Sequence, residues 1–203
     1  MLSSVFKPSS DRLVHPVARR LAAWGISPTM LTLAGVVGVA GSCTFLLITR
    51  RLLVFCVLAL TASLFDALDG AVARAGGRVT KTGAYLDALC DRAGESMIVI
   101  SVAWVTGEWL LSMLFAVGAW FVSYAKARAA MEAPVSNLEW PDLMERPERG
   151  LVYLAGLAAS AVIAWKPCGQ NLFWWTLAVL TALVYLTAMQ RAARAIRLIR
   201  ARG

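Results

Sequence analysis

Histidine occurs once in this 203-residue chain, as His15, and the four cysteines (Cys43, Cys56, Cys90 and Cys168) share no paired spacing. A lone imidazole without a thiol cluster argues against a zinc site. It also leaves no serine or cysteine beside a histidine base, so nothing points to a covalent enzyme intermediate. Scattered cysteines argue against a secreted disulfide scaffold. Charge is scarce as well: Asp, Glu, Lys and Arg make up 16% of the residues, whereas a soluble domain carries about 25%. Hydrophobic residues reach 59% and the mean hydropathy is +0.67, which excludes a disordered chain. Acids are the rarer sign, 12 against 20 Lys and Arg, for a net charge of +8. That balance favours anionic lipid or phosphate partners over nucleic acid. No repeat and no linker is apparent, so residues 1–203 read as a single domain.

What the chain does have is long apolar runs. About 20 such residues cross a bilayer. Six segments qualify: Thr29–Thr49, Leu52–Ala73, Ala84–Thr106, Trp109–Tyr124, Leu151–Trp165 and Asn171–Gln190. The fold class expected is an all-α integral membrane protein, a six-helix bundle over residues 28–190. An interfacial arm (1–27) precedes it and a basic tail (191–203) follows. In the arm Leu13, Val17, Leu21 and Trp24 recur at helical spacing opposite Arg12, Arg19 and Arg20, as in an amphipathic helix lying on the membrane surface. No apolar core with a cleavage site follows these basic residues, so the arm does not read as a signal peptide. Sixteen of the twenty Lys and Arg fall on one side of the proposed spans, and only Arg50, Arg51 and Lys166 on the other. With an even number of spans, this places both termini in the cytoplasm of a multi-pass cell-membrane protein. Trp24, Trp104, Trp109, Trp165, Trp174 and Trp175 lie near span ends, where indole rings favour the interface.

Five acids sit where a carboxylate is expensive. Asp66 and Asp69 fall in the second span; Asp87, Asp91 and Glu95 fall in the third. A charge at membrane depth persists when it is paired, hydrated or metal-bound. Spacings of three and four put each Asp pair on one helix face, and the short connection makes the two helices antiparallel neighbours able to face each other. Four carboxylates so placed need cations. Oxygen donors without His or Cys suit Mg2+ or Mn2+. Two such ions bind a pyrophosphate and stabilise both attacking and leaving oxygens. Gly70 and Ala73 keep the same face open, Gly83 lies one turn before Asp87, and Arg74 suits bidentate contact with phosphate. Buried pairs with Arg74 and Arg92, or a proton or cation pathway, are the other readings of intramembrane acids. Glu95 extends the Asp87–Asp91 face as a supporting group or as a residue at the cavity edge.

The ordered string Asp66-x2-Asp69-Gly70-x2-Ala73-Arg74-x8-Gly83-x3-Asp87-x3-Asp91 resembles the signature of the CDP-alcohol phosphotransferase family at every defined position. The resemblance implies metal-dependent transfer of a phosphatidyl group from a CDP-linked lipid, CDP-diacylglycerol, to an alcohol, with release of CMP. It implies that Asp66, Asp69 and Asp87 bind the metal pair, and that Asp91 touches metal and takes the proton of the acceptor hydroxyl. Asp69, Gly70, Ala73, Arg74 and Thr80 then fall at the CDP-lipid. A homodimer is implied as well.

The acceptor must be read from the second half. Ser123 to Arg128, Glu145 to Arg149, and Arg191 bring several cations to one membrane level, which suits an alcohol already carrying a phosphate. These segments, with Ser27-Pro28, are similar to the actinobacterial phosphatidylinositol-phosphate synthases. That likeness implies inositol 1-phosphate as acceptor, with Lys126, Arg149 and Arg191 on its phosphate, Ser123 as a further contact and Arg146 as partner of a nearby acid. Pro134–Leu143 departs from the pattern, as does Thr29, where many members have Asn. Glycerol 3-phosphate is the alternative acceptor, and a cation or proton transporter the alternative class. The remaining tail arginines read as an ordinary solvated, positive-inside segment.

Overall fold

The computed structural model describes residues 16–77, 79–132 and 146–202. Leu13 and the rest of the arm before residue 16, Arg78, the Pro134–Leu143 segment and the side chains of Asp66 and Arg202 lie outside that description. Among the described residues helices are the only regular structure, and the chain divides into two compact units at Gly107/Glu108.

The N-terminal unit holds α1 (residues 16–23), α2 (Pro28–Thr49), α3 (Leu52–Ala75) and α4 (Lys81–Thr106). Each long helix starts or stops where the sequence supplies the means. The Ser27 hydroxyl accepts the Met30 N–H at 3.2 Å, and Pro28 fills the first turn of α2, where its missing N–H is not needed. Arg50, at φ 55°, reverses the chain, its N–H returning to the Leu46 carbonyl, and α3 begins two residues later. Gly107 closes α4 at φ 80°. α2 packs along both α3 and α4. Its Val39, Cys43 and Leu46 are buried, as are Phe55, Ala59 and Ala62 of α3 and Val99, Val102 and Ala103 of α4. A methyl group on Gly38 would lie 3.1 Å from the Ala62 Cβ. Small residues permit this backbone approach, the main source of helix association in lipid.

α1 buries Ala18 against Leu31 of α2 and Ala71 and Val72 of α3, with Leu21 and Ala22 beside it. Val17 and Trp24, on the stripe expected to face the membrane, are exposed, as are Arg19 and Arg20. The segment thus has two apolar sides, one docked on the unit and one turned outward.

The C-terminal unit comprises α5 (Trp109–Glu132), α6 (Arg146–Val162) and α7 (Leu172–Arg202), the last preceded by a 3-10 turn at Pro167–Gly169. α7 packs on both α5 and α6. Tyr153 of α6 stacks on Phe115 of α5 (centroids 5.5 Å apart) and meets Phe173 of α7 edge-on at 5.3 Å. These offset and edge-on geometries are the favourable ones for aromatic rings. At the α6–α7 contact a methyl group on Gly156 would fall 2.7 Å from the Thr176 Cβ, so only hydrogen fits there.

Among the described residues four helices, α2, α3, α5 and α7, are long and apolar enough to cross a membrane. Side chains such as Val37, Ile48, Val57, Leu110, Val117 and Val179 are exposed along them, a surface suited to lipid. α4 carries Asp87, Asp91, Arg92 and Glu95, and α6 has 17 residues. The helix ends differ from the ends of the proposed spans. α5 runs past Tyr124 to Glu132, and α6 spans Arg146–Val162 instead of Leu151–Trp165. α7 continues through the basic residues to Arg202, because no Gly or Pro interrupts 172–202 and Ala, Arg, Leu and Ile sustain a helix.

Candidate active site

Asp66 and Asp69 occupy adjacent turns near the C-terminal end of α3. Asp69 is 5% exposed, and its Oδ2 accepts a hydrogen bond from the Thr32 hydroxyl of α2. Nothing in the sequence pattern marked Thr32, which stands in an apolar run 37 residues before its partner. Asp87 and Asp91 lie one turn apart on α4, both half-buried. Glu95 completes the face and forms an ion pair with Arg92 at 2.6 Å, both largely shielded from solvent.

Both α3 and α4 make their extended packing with α2. Among the described residues no three acidic, histidine or cysteine side chains stand close enough together to hold an ion, and the Asp66 side chain is not among them. Carboxylates repel at short range, and a divalent ion offsets that repulsion. The donor set itself fits such an ion. Every candidate is a carboxylate oxygen, and one of them is buried and anchored by a hydroxyl. Hard cations take such ligands.

Gly70 and Arg74 form one feature. A methyl group on Gly70 would lie 3.3 Å from Arg74 Nη1, so the guanidinium lies back along the bare face that glycine leaves. Arg74 is exposed and Ala73 half-buried. Thr80 caps α4, its hydroxyl oxygen accepting the Gly83 N–H at 3.0 Å. The same geometry gives Gly83 its reason, since a methyl group there would press on that oxygen. Residues 76–80 are all that separate Arg74's helix from α4, so the eight-residue gap of the motif is the last residue of α3, this loop with its cap, and the first two residues of α4.

Among the described residues of the C-terminal unit two cations are buried, Arg149 at 2% exposure and Arg191 at 7%. Arg191 donates from Nη1 to the Val122 carbonyl of α5. That contact brings it beside Ser123 and about one turn from Lys126, both half-buried. The Ser123 hydroxyl donates to the Ala119 carbonyl at 3.3 Å. Arg149 lies in the first turn of α6, and Tyr153, one turn on, is buried among aromatic rings. A buried guanidinium is costly unless hydrogen-bonded and matched by an anion. Arg128, by contrast, pairs on the surface with Glu132 at 2.5 Å.

A model of the CDP-alcohol phosphatidyltransferase family matches residues 25–187. The archaetidylinositol phosphate synthase of Pyrococcus horikoshii is 33% identical over 165 residues, covering 80% of this chain and 85% of that protein. The phosphatidylinositol phosphate synthase of Mycobacterium tuberculosis is 32% identical over 195 residues, covering 89% and 84%. Crystal structures of the M. tuberculosis phosphatidylinositol phosphate synthase superpose closely. The one with CDP-DAG bound has a TM-score of 0.76 at 26% identity, covering 93% of this chain and 94% of that one. The one in complex with manganese and citrate has a TM-score of 0.77 at 27% identity, covering 90% and 88%.

Proposed function

This chain belongs to the CDP-alcohol phosphatidyltransferase family, and on that premise we propose that it moves the phosphatidyl group of CDP-diacylglycerol onto inositol 1-phosphate, releasing CMP. The observation that carries the acceptor is the pair of buried guanidinium groups, Arg149 and Arg191, the two buried cations among the described residues of the C-terminal unit. A phosphate monoester is the anion such groups recognise. Relatives at 32–33% identity bear the corresponding names.

In this reading the acceptor hydroxyl oxygen forms a bond to the lipid-bearing phosphorus. The bond from that phosphorus to the bridging oxygen breaks, and the oxygen leaves with CMP. Asp91 takes the hydroxyl proton. Gly70 and Ala73 leave room for the nucleotide, and Arg74 and Thr80 hold its phosphates and hydroxyls. Lys126, Arg149, Arg191 and Ser123 hold the acceptor's phosphate. Asp66, Asp69, Asp87 and Asp91 would hold two Mg2+, or Mn2+, which neutralise the pyrophosphate charge when bound.

Purified protein with CDP-diacylglycerol and Mg2+ is expected to release CMP on addition of inositol 1-phosphate, and far more slowly with glycerol 3-phosphate or free inositol. Release with glycerol 3-phosphate alone overturns the acceptor. Release with no alcohol at all overturns the transferase reading. An archaeal-type CDP-lipid belongs in the same panel because of the Pyrococcus relative.

The topology that goes with this function has α2 to α7 crossing the membrane six times, both termini and the site being cytoplasmic. Chromatography with light scattering in detergent tests the homodimer implied by the family. Cys168 tests the topology without any mutation. It is exposed on the 3-10 turn before α7, whereas Cys43 and Cys56 are buried and Cys90 is half-buried. A membrane-impermeant maleimide applied to intact cells is expected to label Cys168. Labelling only after lysis would reverse the orientation.

A further inference from the structure

We propose that Thr32 is a positioning residue for the divalent cation, holding the Asp69 carboxylate in its ligating orientation; this rests on the reading of Asp69 as a metal ligand. The hydroxyl and the carboxylate are both buried, at 6% and 5% exposure, and Thr32 Oγ1 donates to Asp69 Oδ2. The same hydroxyl lies 3.1 Å from the Pro28 carbonyl, four residues back on α2. A hydroxyl carries one proton, and the ionised carboxylate is the stronger acceptor. The Pro28 carbonyl and the stiffness of a β-branched side chain limit where Oγ1 can sit.

Three consequences follow from this geometry. One acceptor direction of Oδ2 is used by Thr32, which leaves Oδ1 and the rest of Oδ2 for the ion. The carboxylate is fixed across two packed helices, α2 and α3, so its orientation is set before any ligand arrives. The start of α2 is itself pinned by the Ser27 cap, so the anchor stands on a defined helix end. Groups that orient a metal ligand in this way typically govern metal affinity by about 10- to 100-fold.

The test uses the full-length protein in detergent, with Mn2+ alone as probe and its free concentration read by electron paramagnetic resonance, without substrate. Thr32→Val keeps the shape and removes the hydroxyl, and is expected to weaken Mn2+ binding by about 10-fold or more. Thr32→Ser, which restores the donor, is expected to return affinity to within a few-fold of the parent. A melting curve for each variant separates loss of fold from loss of metal. If Thr32→Val binds Mn2+ as the parent does while Asp69→Asn does not, the positioning role is overturned and the metal site stands. If Asp69→Asn also binds normally, the metal reading on which the inference rests is overturned instead. Equal weakening in Thr32→Val and Thr32→Ser also overturns it, because packing and not the hydroxyl would then be responsible.

Discussion

Asp91→Asn is expected to lower the rate of CMP release by about 10²- to 10⁴-fold, the usual contribution of a positioned general base, with CDP-diacylglycerol binding retained. The substitution is isosteric and lies mid-helix on α4, where the Arg92–Glu95 ion pair next to it is left in place. Asp91 is assigned two jobs, and metal titration separates them. A residue that only ligates the ion would recover rate as Mn2+ is raised to saturation. A residue that takes the proton would not, because an amide has no basic lone pair to offer. A variant turning over near the parent rate refutes the base assignment.

Arg191→Gln is expected to raise the KM for inositol 1-phosphate by about 30-fold or more and to leave the KM for CDP-diacylglycerol nearly unchanged. Removing one partner of a buried, hydrogen-bonded charge pair costs about 2–5 kcal/mol, which sets that lower bound. Glutamine still reaches toward the Val122 carbonyl and can donate to it, so the α5–α7 contact made by Arg191 is largely preserved. What the variant lacks is the positive charge and the forked donor set. The comparison with free inositol is the sharper readout. An arginine that binds the acceptor's phosphate affects the phosphorylated alcohol and spares the plain one. Equal effects on both, or on both KM values, would assign Arg191 to packing alone.

The sequence is most legible where a local rule is enough. Asp66, Asp69, Asp87 and Asp91 stand out because carboxylates in apolar runs need a reason, and their spacing fixes the helix face without any tertiary knowledge. The closeness of Gly70 and Arg74 was likewise implicit in a four-residue interval. Thr32 was missed because its partner is 37 residues away; a threonine in a span most often bonds back to its own helix, as Thr44 and Thr61 do here. The short connection places the ends of α3 and α4 near each other, whereas the packing of both on α2 is visible only in the fold. The burial of Arg149 was hidden for another reason. Positive-inside residues and phosphate-binding residues are the same amino acids in the same places, and only the fold separates a 2%-exposed arginine from a solvated one. The reach of α7 to Arg202 is not marked in the sequence, because a change from apolar to basic residues marks the edge of the lipid and not the end of the helix.

The polar load of α4 bears on how the protein is made. A segment holding Asp87, Asp91, Arg92 and Glu95 pays about 2.5–3.5 kcal/mol for each Asp or Arg near the bilayer centre when it partitions alone. A chain leaving the translocon therefore does not commit α4 to lipid on hydropathy. In the proposed six-span topology α4 would insert against helices already in place, and α2, the neighbour on which α4 packs, emerges first. The order of elements along the chain would then match the order of insertion. The more apolar α2 and α3 would form a partner surface that receives the proposed metal-binding helix. Mutations that loosen α2, far from any substrate, would then appear as loss of inserted enzyme and not as slow turnover.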